Sequence, residues 1–157
     1  MSKEAISLIL IHVALFIVLM SIFQRSSGWN VLARRYRFRG KLQHASRWFL
    51  ISARMGIREP SPLLGIEKPL FPLRNALNIA VTEAGLHLSI FPLFRLFHPP
   101  LLFPWDHITT QSCSGLSANW IELHFREAPW AVMRLRKSVV TELLQSAPPE
   151  WRSTCGF

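Results

Sequence analysis

The apolar positions of this chain fall into one continuous block, one helical stripe and a long series of alternating pairs. The block is Ala5–Phe23 (AISLILIHVALFIVLMSIF), nineteen residues without a charge, thirteen of them Leu, Ile, Val or Phe. A helix of ~17–25 such residues crosses a hydrocarbon core. At roughly −0.3 to −0.6 kcal/mol each, the large apolar side chains favour insertion by on the order of 4–8 kcal/mol. A signal-peptide core is shorter, ~7–15 residues, and is followed by an A-x-A-like site, whereas this run ends in Ser21-Ile22-Phe23-Gln24-Arg25. The pattern predicts an uncleaved transmembrane helix over 5–23, behind a short outer N-terminus at 1–4.

Ser26-Ser27-Gly28 interrupts the block. Trp29, Leu32, Ala33 and Tyr36 then recur at the spacing of one helical face, with Ser27 placed as an N-cap. Arg34, Arg35 and Arg37 project to other faces, so 24–43 reads as a basic amphipathic juxtamembrane arm. Beyond it the period is two. Trp48–Ala53 reads as a strand buried on both faces, and Pro60, Pro62, Pro69 and Pro72 mark a loop. Leu77, Ile79 and Val81, the turn Glu83-Ala84-Gly85, and Leu86, Leu88 and Ile90 predict a hairpin. Further strands are expected at Leu101–Trp105, at Thr109–Ser114, around Ile121, Leu123 and Phe125, and around Ala131, Met133 and Leu135. The last two are joined at Glu127-Ala128-Pro129. Val139, Val140, Leu143 and Leu144 return to helical spacing, with Pro148-Pro149 as the stop. The expected domain at 44–147 is therefore mainly β. It holds six to seven antiparallel strands, as a small barrel or a pair of orthogonal sheets, and a C-terminal helix. Residues 148–157 are left as a tail.

Charge adds an orientation and a surface. The formal net charge is +9, and residues 1–58 hold ten Lys/Arg against one acid, Glu4, while 59–157 balance eight against eight. That balance argues against a nucleic-acid-binding face. Only Lys3 precedes the apolar run, and a basic cluster follows it, so the positive-inside rule puts the C-terminal side in the cytoplasm. Cys113 and Cys155 then stand in a reducing compartment as free thiols. Arg25, Trp29, Arg34, Arg35, Tyr36, Arg37, Arg39 and Lys41 are the candidate membrane-interface residues. Trp and Tyr favour headgroup depth, and each Lys/Arg near an anionic leaflet contributes up to ~1 kcal/mol. The same features also suit a topology signal followed by a linker. A second candidate surface is the Phe-rich stretch 90–103, with Phe91, Phe94, Arg95, Phe97 and Phe103. Exposed, it would meet a lipid or a partner; turned inward, it is core.

Val81–Leu88 (VTEAGLHL) and Phe94–Ile108 (FRLFHPPLLFPWDHI) place a Gly turn between two strands, then a Pro-Trp-x-x-Ile element opening the next. This order resembles bacterial pleckstrin-homology-like and GRAM-like domains across 44–147. Ser27–Ala33 (SGWNVLA) is also similar to small bacterial single-pass membrane proteins. The resemblance implies a pleckstrin-homology (PH)-like fold and no known reaction; with the orientation expected from charge, the chain is placed in a bacterial inner membrane, N-terminus outside. The basic phosphate loop of the eukaryotic phosphoinositide-binding relatives is not recognisable, since 83–95 holds Arg95 alone, beside Glu83.

The chain carries no phosphate loop, GxSxG elbow or HExxH. Its six histidines (12, 44, 87, 98, 107 and 124) show no ligand spacing, and its two cysteines form no C-x-x-C. His87, His107 and His124 fall on predicted strands, where they either meet or scatter over the surface. His12 is an ionisable group inside the span; it could ligate a haem, face a partner helix, or stay a neutral imidazole. No cofactor, metal or catalytic activity is expected. The expected function is a membrane-tethered, non-catalytic binding module that docks on anionic lipid headgroups, on a membrane or cytoplasmic protein, or on both. The alternative is a structural accessory or assembly subunit of a larger inner-membrane complex.

Overall fold

The computed structural model describes residues 2–42, 45–58, 70–92, 95, 98–113 and 119–154, with the side chains of 23–26 and 154 outside the description. Of the expected loop at 59–72, residues 59–69 lie outside the described residues, as do Phe94, Phe97, His44, Cys155 and the Arg25 side chain, whereas Phe71 and Pro72 open a strand. The apolar block forms helix α1 (Lys3–Ser26). The run Lys3–Ile22 has a mean hydropathy of 2.8, is long enough to cross a membrane, and has none of its length buried. Its polar side chains return to their own backbone: His12 Nδ1 lies 2.8 Å from the Leu8 carbonyl, and the Ser21 hydroxyl donates to Ile17 O at 2.9 Å.

Helix α2 (Trp29–Tyr36) follows at once. Gly28 turns the chain at φ 72°, and a Cβ there would lie 2.9 Å from Ile57 Cγ1. The N-cap is Gly28 rather than the expected Ser27, whose hydroxyl accepts the Trp29 N–H at 3.4 Å from two residues before the helix. The apolar face of α2 is the one expected, but it does not face lipid. Trp29, Leu32 and Tyr36 are 0, 1 and 5% exposed and belong to the core of the β domain. The Trp29 indole N–H donates to Pro99 O at 2.9 Å, and the Tyr36 hydroxyl accepts the Glu127 N–H at 2.8 Å. Full burial with both polar handles bonded gains more than half-burial at headgroup depth. Trp29 and Tyr36 are thus core residues rather than interface residues.

The strands are β1 (Ser46–Ile57), β2 (Phe71–Thr82), β3 (Gly85–Ile90), β4 (Leu101–Phe103), β5 (Ile108–Ser112), β6 (Trp120–Phe125) and β7 (Ala128–Arg136). They form one antiparallel sheet in the order β4-β3-β2-β1-β7-β6-β5, two meanders joined where β1 meets β7. The sheet curls on itself: Phe103 of β4 stacks on Phe125 of β6, centroids 4.3 Å apart, although four strands lie between theirs. Tyr36 packs on the same pair, 4.6 Å from the Phe103 ring.

Two expectations about strands are corrected. The first half of β1 is not buried on both faces, since Phe49 and Leu50 are 65 and 51% exposed. The alternation breaks because the pairing with β2 shifts register between Trp48 and Ala53, with Leu50 at φ 55° and Asn75 at φ 47°. Pro129 lies within β7 rather than in the turn, which falls at Arg126-Glu127.

Helix α3 (Lys137–Ser146) packs on β6 and β7, and the Trp48 indole reaches its Glu142 at 3.1 Å. Pro149 does not end the structure. It opens a further short helix, α4 (Pro149–Thr154), as Pro does at a first helical position. Trp151 of α4 is buried and donates to Ile108 O at 3.2 Å, so the expected tail is docked.

Candidate functional site

The site is assembled by the residues that leave α2. Arg37 bridges to Leu101 at the open edge of β4, and the Phe38 N–H donates to Pro100 O at 2.8 Å. The chain then runs over the outer face of the sheet as a strap, Phe38–Leu42. Beneath it, Arg47, Ala80, His87 and Leu102 stand side by side on β1, β2, β3 and β4. The Phe38 ring meets His87 edge-on, centroids 5.3 Å apart.

Between strap and sheet lies a cavity of about 320 Å³, lined by Lys41, Arg47, His87 and Arg95 with Phe38, Phe49, Asn78 and Ser89. Next to it is a wider cleft of about 940 Å³ with Arg34, Arg35, Arg37 and Arg39 on its walls. Phe38, Arg95 and Pro100 border both. No acidic residue lines either space among the described residues. The seven cations are exposed, and none has an ion-pair partner among the described residues. Unpaired like charges gathered in this way make a field that attracts anions.

His87 is the buried member of the group, 5% exposed. Burial, then Arg95 and Arg47, push its pKa down to about 4, so it is neutral at physiological pH. Unfolded, it takes a proton near 6.5. Between those values the unfolded chain binds more protons, so stability is complete above pH 6.5 and falls as pH drops toward 4. The expected loss is roughly 2–3 kcal/mol. Urea unfolding in neutral detergent at pH 7 and pH 4.5 checks this: the pH effect should shrink by about that amount in His87→Gln, and an equal effect in both proteins would refute it.

The structure brings together Arg34, Arg35, Arg37, Arg39, Lys41 and Arg95, all anticipated in the sequence. It adds Arg47 and His87, which the sequence did not single out as site residues. Their alternation on β1 and β3 points to an outer face, but only strand register sets them side by side. Phe91 is exposed, whereas Phe103 is fully buried. Phe103 pairs with Leu86 across β3–β4 and faces the interior, so it is core and not part of a contact loop.

A second polar cluster lies on the other half of the sheet. Glu122, 5% exposed, accepts both Arg58 Nη groups at 3.1 and 3.0 Å and Arg134 Nε at 2.6 Å, with His124 Nε2 at 3.3 Å. Burial alone would raise its pKa, but Arg134 and Arg58 outweigh burial and hold it below the ordinary carboxylate value. A carboxylate so fully engaged is a clamp between β6, β7 and the end of β1, not a general base. His107, expected on a strand, lies in the 3-10 turn Trp105–His107 before β5; with His124 it borders one cleft, away from His87, so the three histidines do not converge. Among the described residues no group of His, Cys, Asp and Glu could hold a metal, and Cys113 is a free thiol. Comparison of the chain with protein-family models, curated proteins and solved structures finds no match.

Proposed function

We propose that this protein is a membrane-tethered, non-catalytic binding module whose β domain docks on an anionic bilayer surface through the basic strap and its rim. In this reading α1 crosses a bacterial inner membrane once, with its N-terminus outside, and the domain is cytoplasmic and PH-like. The observation that carries it is the cluster of seven exposed cations, without ion-pair partners among the described residues, so soon after an apolar helix. Trp29, already in the core, follows Phe23 by six residues, on the order of 9 Å along a helix. With α1 in the bilayer, the domain begins at the surface and its cations lie where screening over ~8 Å still leaves attraction. The strand order, four in one meander and three in another followed by a helix, supports the PH-like reading. The accessory-subunit reading is weaker, because Trp29 and Tyr36 are spent inside the domain and offer nothing to a neighbour.

The test uses the full chain in nanodiscs of zwitterionic lipid and of mixed zwitterionic and anionic lipid. Amide exchange across residues 34–42 should slow in the anionic discs, and the slowing should vanish at high salt. Replacing Arg34, Arg35, Arg37 and Arg39 together by Gln should abolish it, a change of up to ~4 kcal/mol if each contributes fully. Equal exchange in both discs would refute the docking.

A further inference from the structure

We propose that the cavity beneath the Phe38–Leu42 strap is a built site for a single phosphate ester group. This goes past a diffuse charged surface to a stoichiometric pocket, and in its lipid form it rests on the membrane reading above. Its size, about 320 Å³, is at the small end for ligand pockets and suits a headgroup rather than a whole lipid.

Three separate elements each bring a cation to it: Lys41 from the strap, Arg47 from β1 and Arg95 from the segment after β3. Holding them around one hollow, with no carboxylate there among the described residues, costs repulsion that a bound dianion would relieve. Neutral donors complete the floor. The Asn78 side-chain oxygen accepts the Leu50 N–H at 3.3 Å, which leaves its NH2 group for the cavity, and the Ser89 hydroxyl stands beside it. Arg47 and Arg95 already disfavour a charge on His87, so the ring accepts or donates one hydrogen bond as a neutral group. Phe38 roofs the space, and Phe49, largely exposed, stands at its border as apolar support for the part of an ester beyond its phosphate. Gly40 lets the strap fold this tightly, since a Cβ there would lie 2.7 Å from the Phe38 ring.

The two sources of such a group, a lipid headgroup and a small soluble ester, are separated by titrating the full chain in neutral detergent. The probes are dioctanoyl phosphatidic acid and glycerol 3-phosphate, with dioctanoyl phosphatidylcholine as the blank. Calorimetry should show saturation at one phosphatidic acid per chain. Arg47→Gln should weaken it by about ten- to a hundredfold, the worth of a charge-assisted hydrogen bond. Arg34→Gln with Arg35→Gln, on the outer cleft, should change it by no more than about threefold. Lys41→Gln provides a second cavity variant should Arg47→Gln unfold. Glycerol 3-phosphate binding as tightly as the lipid would support the site and make a soluble ester its ligand; no binding of it would leave the lipid. Non-saturating titration, or equal losses from cavity and cleft substitutions, would overturn the pocket while leaving surface docking intact. Saturable binding with unchanged amide exchange in nanodiscs would do the reverse.

Discussion

Trp29→Ala is expected to lower the stability of the β domain by about 3–5 kcal/mol, the cost of truncating a fully buried large aromatic residue. That is a large share of the ~5–15 kcal/mol that holds a domain of this kind together. The indole fills the space between α2 and the chain before β4, stands 5.6 Å edge-on from His98, and donates to Pro99 O. Trp29→Phe should keep most of the packing and lose only the donor, at about 1–2 kcal/mol. Chemical unfolding of the full chain in neutral detergent measures both. The result discriminates sharply, because a Trp lying at the headgroups would contribute little to folding. A loss below about 1 kcal/mol for the alanine variant would mean that α2 is not seated in the domain.

Gly85→Ala should cost a similar amount, about 2–5 kcal/mol, from a side chain of one carbon. Gly85 has φ 154°, and a Cβ there would overlap the Phe103 carbonyl and lie 3.1 Å from Pro104 Cα. Backbone cannot yield as a flexible side chain can, so β4 must move from β3 and take Phe103 with it. Strain at a positive φ costs roughly 1–2 kcal/mol, and overpacking adds about 1–3 kcal/mol. The turn itself is bracketed by Thr82, whose hydroxyl accepts the Gly85 N–H at 3.1 Å and donates to Gly85 O at 2.8 Å. Thermal melting of Gly85→Ala beside Thr82→Val checks the argument: the glycine change should be the more damaging, and the opposite order would refute the close β3–β4 approach.

Features carried by neighbouring residues were readable in the sequence. Nineteen uncharged residues announce α1 without reference to anything else. The β2–β3 hairpin shows because alternation on both sides of Thr82–Gly85 survives in the fold. What the sequence hid depends on which distant surface covers a given face. Trp29, Leu32 and Tyr36 declare an apolar stripe, but lipid and protein core are equally apolar, and the deciding partners, Pro99 and Glu127, are 70 and 91 residues away. The short strand expected at Leu101–Trp105 forms as β4 and stops at Phe103, but nothing local says which strand it joins, so Phe103 reads as a neighbour of Phe91 rather than of Leu86. The run Trp48–Ile51 gave no sign of the bulge at Leu50. Arg47, one residue earlier, acquires meaning only once β1 is in register with β2 and β3. The cations of the strap were visible one by one; their gathering around a hollow was not.

The contacts that close the domain also set the order in which it can be made. Trp29 meets Pro99, Tyr36 meets Glu127 and Trp48 meets Glu142, partners 70, 91 and 94 residues apart. Loop-closure entropy must be lost before such distant pairs repay it, which makes this a slow-folding topology. Helix α2 leaves the ribosome first among the core elements, and its contacts with β7 wait until that strand has been synthesised. A chain that ends before Ala128 has the apolar helix and most of the strands but no closing strand for β1. The apolar face of α2 then lacks the part of its cover that β7 supplies. Completion of this protein is therefore an event of its C-terminal third, although the residues that wait for it lie just beyond the first helix.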